Sequence, residues 1–325
     1  MKEPIVSICT LSYNHEPYLR QTLDSFLSQR DVPFEIIIHD DASTDGSAEI
    51  IREYEKKYPD VVKPMYQTEN QYSKGIHNPS GAFNFPRATG RYIAMCEGDD
   101  FWNDPCKLKK QVEYMDTHPE CTLLAHSAHI IPADGAWRSA DLIRPYEEHR
   151  DLLPEEVISK PVSFPMASLM FPAELAKQLP RWYYECPVGD IPLHLFMLEH
   201  GTVHYMDAPM ATYRMGREGS WQQLMDKDPK TVQKWEDHYL AMKELFSAFN
   251  EETGGKYALP CEDAVRRTRF LVDLKIGNFD VVKDPENEKY MDELGAKEKK
   301  LLKLRASHPQ LYEALQKIYK KFTNP

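Results

Sequence analysis

The sequence predicts an α/β protein with a mostly parallel central sheet, followed by a helical C-terminal region. Three observations carry this. Short β-branched apolar runs alternate with helix-period segments from Ile5 to Thr117, the pattern of strands joined by crossover helices. Two of the runs end directly in acidic loops. Beyond Ser220 strand signals nearly vanish and helical periods take over.

The elements follow in order. Ile5 to Leu11 is a first strand, and Glu16 to Gln29 places Leu19, Leu23, Phe26 and Leu27 at helical spacing. Phe34 to His39 is too β-branched to prefer helix. It runs into Asp40-Asp41-Ala42-Ser43-Thr44-Asp45-Gly46, a turn that also offers caps for a helix beginning near Ser47. Val61 to Gln67 and Arg91 to Cys96 read as the third and fourth strands. Asp104-Pro105 should start a helix reaching Thr117, with Asp at the cap and Pro at the first helical position. The middle, Cys121 to Arg217, mixes short strands with a helix around Pro187 to His200. Helices are expected at Lys230–Phe249, Pro260–Ile276 and Ser307–Phe322, with breaks at Thr253-Gly254-Gly255 and Asp284–Lys289. The expected division is a sheet domain over 1–221 and a helical region over 222–325.

Composition excludes several classes. A formal net charge of -11 argues against a nucleic-acid partner, which normally calls for a basic surface. The charge is uneven: from Lys297 to Pro325 eight Lys/Arg face two Glu, about +6. The six cysteines form no C-x-x-C pair, and several sit in apolar stretches, so reduced buried thiols are expected. No apolar run approaches the ~18 residues of a membrane span. With a strand beginning so near the start, no signal peptide is expected. The expected location is the cytoplasm, at most peripheral at the inner face of the membrane.

In sheets of this class ligands bind at the carboxyl ends of strands, and both acidic loops belong there. Glu97-Gly98-Asp99-Asp100 crowds three carboxylates, which repel unless a cation neutralises them. Oxygen-rich sites suit Mg²⁺ or Mn²⁺, and Gly98 would admit a close ligand. A solvated acidic turn over a packed aromatic is the alternative. Asp40-Asp41 can accept from a base N–H or ribose hydroxyls; helix capping explains Asp45 well and the adjacent pair poorly. Thr10-Leu11-Ser12-Tyr13-Asn14 ends the first strand. There Tyr13 could stack on a base with Ser12 and Asn14 beside it, or pack on the sheet edge.

Three segments in this order carry a resemblance: Ile8 to Asn14, Ile38 to Ser47 and Ala88 to Trp102. Their succession resembles family 2 glycosyltransferases, enzymes of the GT-A fold, over roughly residues 4 to 221. The subgroup it is most similar to has an E-G-D-D-aromatic-W run followed by a helix, here Lys107 to Val112. The resemblance implies an inverting transfer from a nucleotide-diphospho-sugar, with UDP as the expected carrier, to a hydroxyl of a glycan or lipid-linked acceptor. It also implies a setting in bacterial surface polysaccharide synthesis.

By the same resemblance Asp41, beside Asp40, binds the base; Thr10, Ser12 and Tyr13 flank it. Glu97 and Gly98 lie at the ribose and metal shell, and Asp99 is the direct ligand of Mn²⁺ or Mg²⁺. Asp190, in Val188-Gly189-Asp190-Ile191-Pro192-Leu193, is the catalytic base; read without the resemblance, it caps the following helix. Ala211 to Trp221 resembles a Tyr-Arg-x-His loop that folds over the diphosphate, with Arg214 or Arg217 left to contact phosphate, because Gly216 stands at the His position. Trp182-Tyr183-Tyr184 reads either as an acceptor-sugar platform or as packing, and His126 and His129 as core or edge histidines.

Three rival readings remain. A sugar-nucleotide pyrophosphorylase would need a glycine-rich loop, which Thr10 to Pro17 lacks. A metal-carboxylate phosphatase would need Asp-x-Asp where Thr10-Leu11-Ser12 stands. A catalytically silent sugar- or partner-binding protein would keep the fold alone. The basic C-terminal helices admit peripheral membrane contact or a solvated basic face.

Overall fold

The computed structural model describes residues 3–133, 141–159, 164–216, 225 and 231–312. Four parallel strands form one half of the sheet: β1 (Val6–Ser12), β2 (Phe34–Asp40), β3 (Val62–Tyr66) and β4 (Tyr92–Met95), in the order β3-β2-β1-β4. The other half adds β5 (Phe101–Trp102), β6 (Cys121–Pro132), β7 (Leu142–Ile143), β8 (Arg150–Asp151), β9 (Met170–Pro172) and β10 (Thr202–Met215). β9 runs antiparallel between β4 and β6. β10 pairs parallel to β6, with a register break between Met206 and Ala211, and antiparallel to β5.

The helices are α1 (Glu16–Leu27), α2 (Ser47–Lys57), α3 (Lys107–Thr117), α4 (Pro154–Ile158), α5 (Ala173–Ala176), α6 (Arg181–Glu185), α7 (Asp190–His200), α8 (Thr231–Glu252), α9 (Ala258–Ile276), α10 (Glu288–Met291) and α11 (Ala296–Ser307). The four expected strands and the helices of the first third are all present. α3 starts two residues later than expected. Asp104 does not cap it directly: its carboxylate accepts from the Cys106 N–H at 2.8 Å and its carbonyl from Lys107 N–H at 3.1 Å, forming a turn ahead of the helix. Asp284–Lys289 is not a plain connection but runs into α10. The helix expected over Ser307–Phe322 is interrupted at His308, resumes by Pro309, and beyond Tyr312 lies outside the described residues. So does the expected division after Trp221.

Successive residues of the central strands serve opposite faces, as strand periodicity requires. Val6, Ile8, Ile36, Ile38 and Ala94 pack with Leu19, Phe26, Ile51 and Leu108 from α1, α2 and α3. Cys9, Ile37, Ile93 and Met95 pack on the other face with Leu193 and Phe196 of α7, and with Met242, Leu245, Phe246 and Phe249 of α8. Double coverage is why these strands read as unbroken apolar runs. Each fully buried Leu or Phe contributes roughly 1.5–3 kcal/mol, so α8 is bonded into the sheet's second face.

All six cysteines are free, and all but the half-buried Cys106 are buried. Among the described residues no helix is long and apolar enough to cross a membrane. On α11, Lys299 pairs with Glu288 and Asp292, and Lys303 with Glu288 at 3.1 Å. These pairs turn part of the basic charge toward α10.

Burial also makes stability sensitive to acid. His39 is fully buried and pushed down to about 4 by desolvation, and His126 is buried and pushed well below its usual value. The unfolded ring takes up a proton below about 6.5, whereas buried His39 declines one until about 4. Unfolding is therefore favoured as pH falls through that window. The His39 contribution should be about 2 kcal/mol at pH 5. Thermal unfolding is expected to move to lower temperature between pH 7 and pH 5, with a shallower slope in His39→Leu; an unchanged slope would contradict the assignment.

Candidate active site

β1 and β4 are parallel neighbours, yet β2 and β3 continue from the other side of β1. A crevice opens at such a reversal, outside the carboxyl ends of the strands. The acidic run lies there because it stays zipped to β1 after β4 ends. Cys96 N–H donates to Cys9 carbonyl at 3.3 Å and Gly98 N–H to Leu11 carbonyl at 3.0 Å. From α1, the Thr22 hydroxyl reaches the carbonyls of Gly98 at 3.0 Å and Asp100 at 2.6 Å. Trp102 closes the run underneath, stacked at a tilt 4.7 Å from Phe26, with the Lys107 ammonium 4.1 Å above its ring. That ammonium is buried and pushed down to about 7.

The carboxylates of the run do not form the common cluster expected from their spacing. Glu97 is exposed, whereas Asp99 and Asp100 are 7% and 2% exposed. Asp100 accepts the Arg214 N–H at 2.8 Å; burial, then the neighbouring Asp99 charge, push it well above the usual carboxylate range. Asp99 has His15 Nε2 3.9 Å from its Oδ2. Among the described residues no three His, Cys, Asp or Glu side chains converge as a metal cage. The donors on offer, Asp99 with Glu97 on the rim, fit a hard cation. Such an ion takes one or two carboxylates and completes its shell with water and phosphate.

Several expected contacts are corrected. Thr10 is fully buried, its hydroxyl donating to the Cys96 carbonyl, and Ser12 is fully buried too. Neither presents an exposed side chain at the crevice. Gly98 admits not a ligand but the protein: a Cβ there would lie 2.6 Å from His15 Nδ1 and 3.0 Å from the Leu11 carbonyl. Arg214 is 6% exposed and already engaged. Its Nε donates to the Asp99 carbonyl at 3.0 Å and its terminal nitrogen to Gln21 at 3.0 Å, while the guanidinium lies 4.4 Å from the Tyr18 ring centre. It braces the acidic run from behind instead of projecting toward phosphate. Gly216 takes a left-handed φ of 78°, and Arg217 to Trp221 lie outside the described residues.

Asp40 and Asp41 are each 2% exposed. Asp40 accepts the Ser43 hydroxyl at 2.6 Å and borders a polar cavity of about 460 Å³ with Asp45, Arg52 and Tyr66. The Asp41 oxygens accept the backbone N–H groups of Gln71 at 2.8 Å and Tyr72 at 3.1 Å, tying the loop after β3 over the strand ends. Neither carboxylate is the open acceptor that the pair suggested, although lone pairs remain. Tyr13 is 41% exposed and presents its ring at the crevice edge.

Asp190 is the first residue of α7, with Gly189 at the cap position, and its Oδ1 accepts the Ile191 N–H at 2.8 Å. It is only partly buried. Trp182 and Tyr183 pack inward, whereas Tyr184 is 39% exposed. His126 is buried and His129 partly so, as a core and edge pair. Sequence reasoning missed Tyr213, the link between the two halves of the site. Burial, then the charges of Asp100, Glu97, Asp99 and Asp190, raise its hydroxyl to about 12. Its hydroxyl thus responds to charge from both the acidic run and Asp190. Residue 213 stands in the expected Tyr-Arg stretch, but nothing in the sequence says that a β10 tyrosine senses charge from both segments.

A doubly covered sheet with an acidic run at the β1–β4 reversal and a carboxylate across from it defines the GT-A class of α/β protein. The profile of Glycosyl transferase family 2 matches residues 7–170, and the chain belongs to that family. An uncharacterised protein of Mycobacterium tuberculosis is 36% identical over 225 residues, 66% of this chain and 60% of that protein. The chain thus spans about 60% of the length of such relatives. The putative teichuronic acid biosynthesis glycosyltransferase TuaG of Bacillus subtilis is 39% identical over 113 residues, covering 35% of this chain and 42% of TuaG. Among solved structures, S. aureus TarS 1-349 in complex with UDP-GlcNAc superposes with a TM-score of 0.56 at 18% identity, over 97% of this chain and 91% of that one. The mannosyltransferase PcManGT of Pyrobaculum calidifontis, with GDP-Man and Mn²⁺, gives 0.55 at 16% identity, over 99% and 81%. Both share the fold.

Proposed function

We propose that the chain is an inverting glycosyltransferase that moves a sugar from a nucleotide-diphospho-sugar, UDP first among carriers, to a hydroxyl of a glycan or lipid-linked acceptor. The observation that carries this reading is the acidic run Glu97-Gly98-Asp99-Asp100 held at the strand-end crevice by β1 and α1. A donor diphosphate is repelled by such a site unless a cation intervenes. Asp99, with Glu97 beside it, would hold Mn²⁺ or Mg²⁺, which when bound supplies charge neutralisation to the departing diphosphate.

The chain's own residues do the rest. Tyr13 offers an exposed ring for the base. Asp41 keeps the 70–72 loop in place beside it. Asp190 takes the acceptor hydroxyl's proton as the oxygen bonds to the anomeric carbon, and the carbon–oxygen bond to the diphosphate breaks on the opposite face. Arg214 and Thr22 stiffen the run that presents Asp99. Residues 1–221 are the proposed catalytic domain and 222–325 the proposed helical region, of which α8 packs on the sheet. The relative named for teichuronic acid biosynthesis supports a place in bacterial surface polysaccharide synthesis, on the cytoplasmic side where nucleotide-sugars are made.

A screen of UDP-, GDP- and dTDP-sugars for Mn²⁺-dependent hydrolysis tests this reading. One donor is expected to be cleaved to the nucleoside diphosphate and to lose cleavage on chelation. No hydrolysis with any donor, together with tight nucleotide-sugar binding, would favour a silent binding protein.

A further inference from the structure

We infer that Asn78 is a positioning residue for Asp190, clamping the segment that leads into α7 from the loop that follows β3. The inference deepens the reading of Asp190 as the base and rests on it. Asn78 is 5% exposed and lies in the loop that Asp41 holds through the N–H groups of Gln71 and Tyr72. Its side-chain nitrogen donates to the Tyr183 carbonyl at 2.6 Å and to the Cys186 carbonyl at 3.0 Å. Those carbonyls belong to α6 and to the residue that follows it. The oxygen of the same amide lies against Gly189, where an added Cβ would sit 2.6 Å from it. Gly189 has φ -101° and ψ -22°, open to any residue, so the close approach is what calls for glycine there. One planar amide thus meets the chain at residues 183, 186 and 189, and the next residue is Asp190.

The clamp is itself anchored. The Asn78 carbonyl accepts the Ala82 N–H at 3.2 Å, opening the helical turn Ser80–Asn84. Gly81 in that turn passes so close to the Tyr183 ring that no Cβ would fit. At its end Asn84 is fully buried and donates to the Thr10 carbonyl of β1 at 3.0 Å. Phe85 follows, fully buried and edge-on to Phe171 of β9 at 5.5 Å. The Asn78 amide is therefore fixed to the sheet, and it passes that position to the start of α7. Its nitrogen carries two N–H groups for two carbonyls, whereas an aspartate of the same shape carries none. A base works only within hydrogen-bond reach of its proton, and a misplacement of about 1 Å can cost about 10²-fold in rate.

The test is a rate cycle on the full chain, using the donor found by the hydrolysis screen with water in place of the acceptor hydroxyl. Asn78→Ala should lower kcat by about 10- to 100-fold and leave the donor KM within about twofold. In Asp190→Asn the same substitution should change kcat by less than about twofold, because a residue that acts through the carboxylate has nothing left to position. Gly189→Ala drives a Cβ against the Asn78 oxygen yet removes no hydrogen-bonding group, so it serves as the second variant if Asn78→Ala does not fold. The same kcat loss, again absent in Asp190→Asn, is expected of it. Equal losses in wild type and Asp190→Asn would mark a general packing role and overturn the inference even if Asp190 proves to be the base. Unchanged kcat in both Asn78→Ala and Gly189→Ala would overturn it as well. Full turnover in Asp190→Asn instead overturns the reading of the base, and the positioning role falls with it.

Discussion

Asp190→Asn is expected to lower turnover by about 10²- to 10⁴-fold, the usual contribution of a positioned general base, while the protein remains folded. Only the proton-accepting capacity is lost. The Asp190 carboxylate accepts the Ile191 N–H at 2.8 Å at the start of α7, and an asparagine oxygen can accept the same bond. What the helix forfeits is a negative charge at its N-terminus, about 0.3–1 kcal/mol. Residue 190 is partly exposed, so the melting curve should barely move. Turnover and unfolding measured on the same preparation check both halves. Wild-type turnover would show that the carboxylate only starts a helix.

Asp99→Asn should lower Mn²⁺-dependent donor hydrolysis by roughly 10³-fold, since the charge proposed to hold the cation would be worth several kcal/mol to the departing diphosphate. Here the stability effect has the opposite sign from an ordinary buried substitution. Asp99 is the second cause, after burial, that pushes Asp100 above its usual range. Neutralising residue 99 relieves that repulsion. The variant is therefore expected to be at least as stable as wild type and inactive, the pattern of a residue kept for chemistry at the expense of stability. Titration calorimetry with Mn²⁺ and nucleoside diphosphate, beside thermal unfolding, separates the two. Retained metal-dependent hydrolysis would move the ligand to Glu97.

The strands that build the crevice were legible because burial on both faces leaves an unbroken apolar signature, as in Ile36-Ile37-Ile38. The position of the acidic run was legible for a related reason, since polar residues directly after such a strand must lie at the sheet's edge. The contacts of individual polar side chains were not. Thr10 and Ser12 read as ligand contacts by their place at a strand end, yet they are fully buried. Arg214 read as a phosphate ligand because guanidinium suits phosphate, yet it is spent on the Asp99 carbonyl, Gln21 and Tyr18. Gln21 and Tyr18 come from α1, nearly two hundred residues away in the chain.

The acidic run began as three crowded carboxylates and ends as three distinct ones. By itself the sequence determined the α/β class, the strand-end location of both acidic loops and the helical character of the C-terminal region, because each follows from local periodicity and burial pattern. Only the tertiary structure decided which carboxylate is exposed, half-available or locked, since that depends on Arg214 and Thr22 arriving from β10 and α1. It also decided that α8 covers the same sheet face as α7. The side chains of a single helix face do not disclose what lies opposite them.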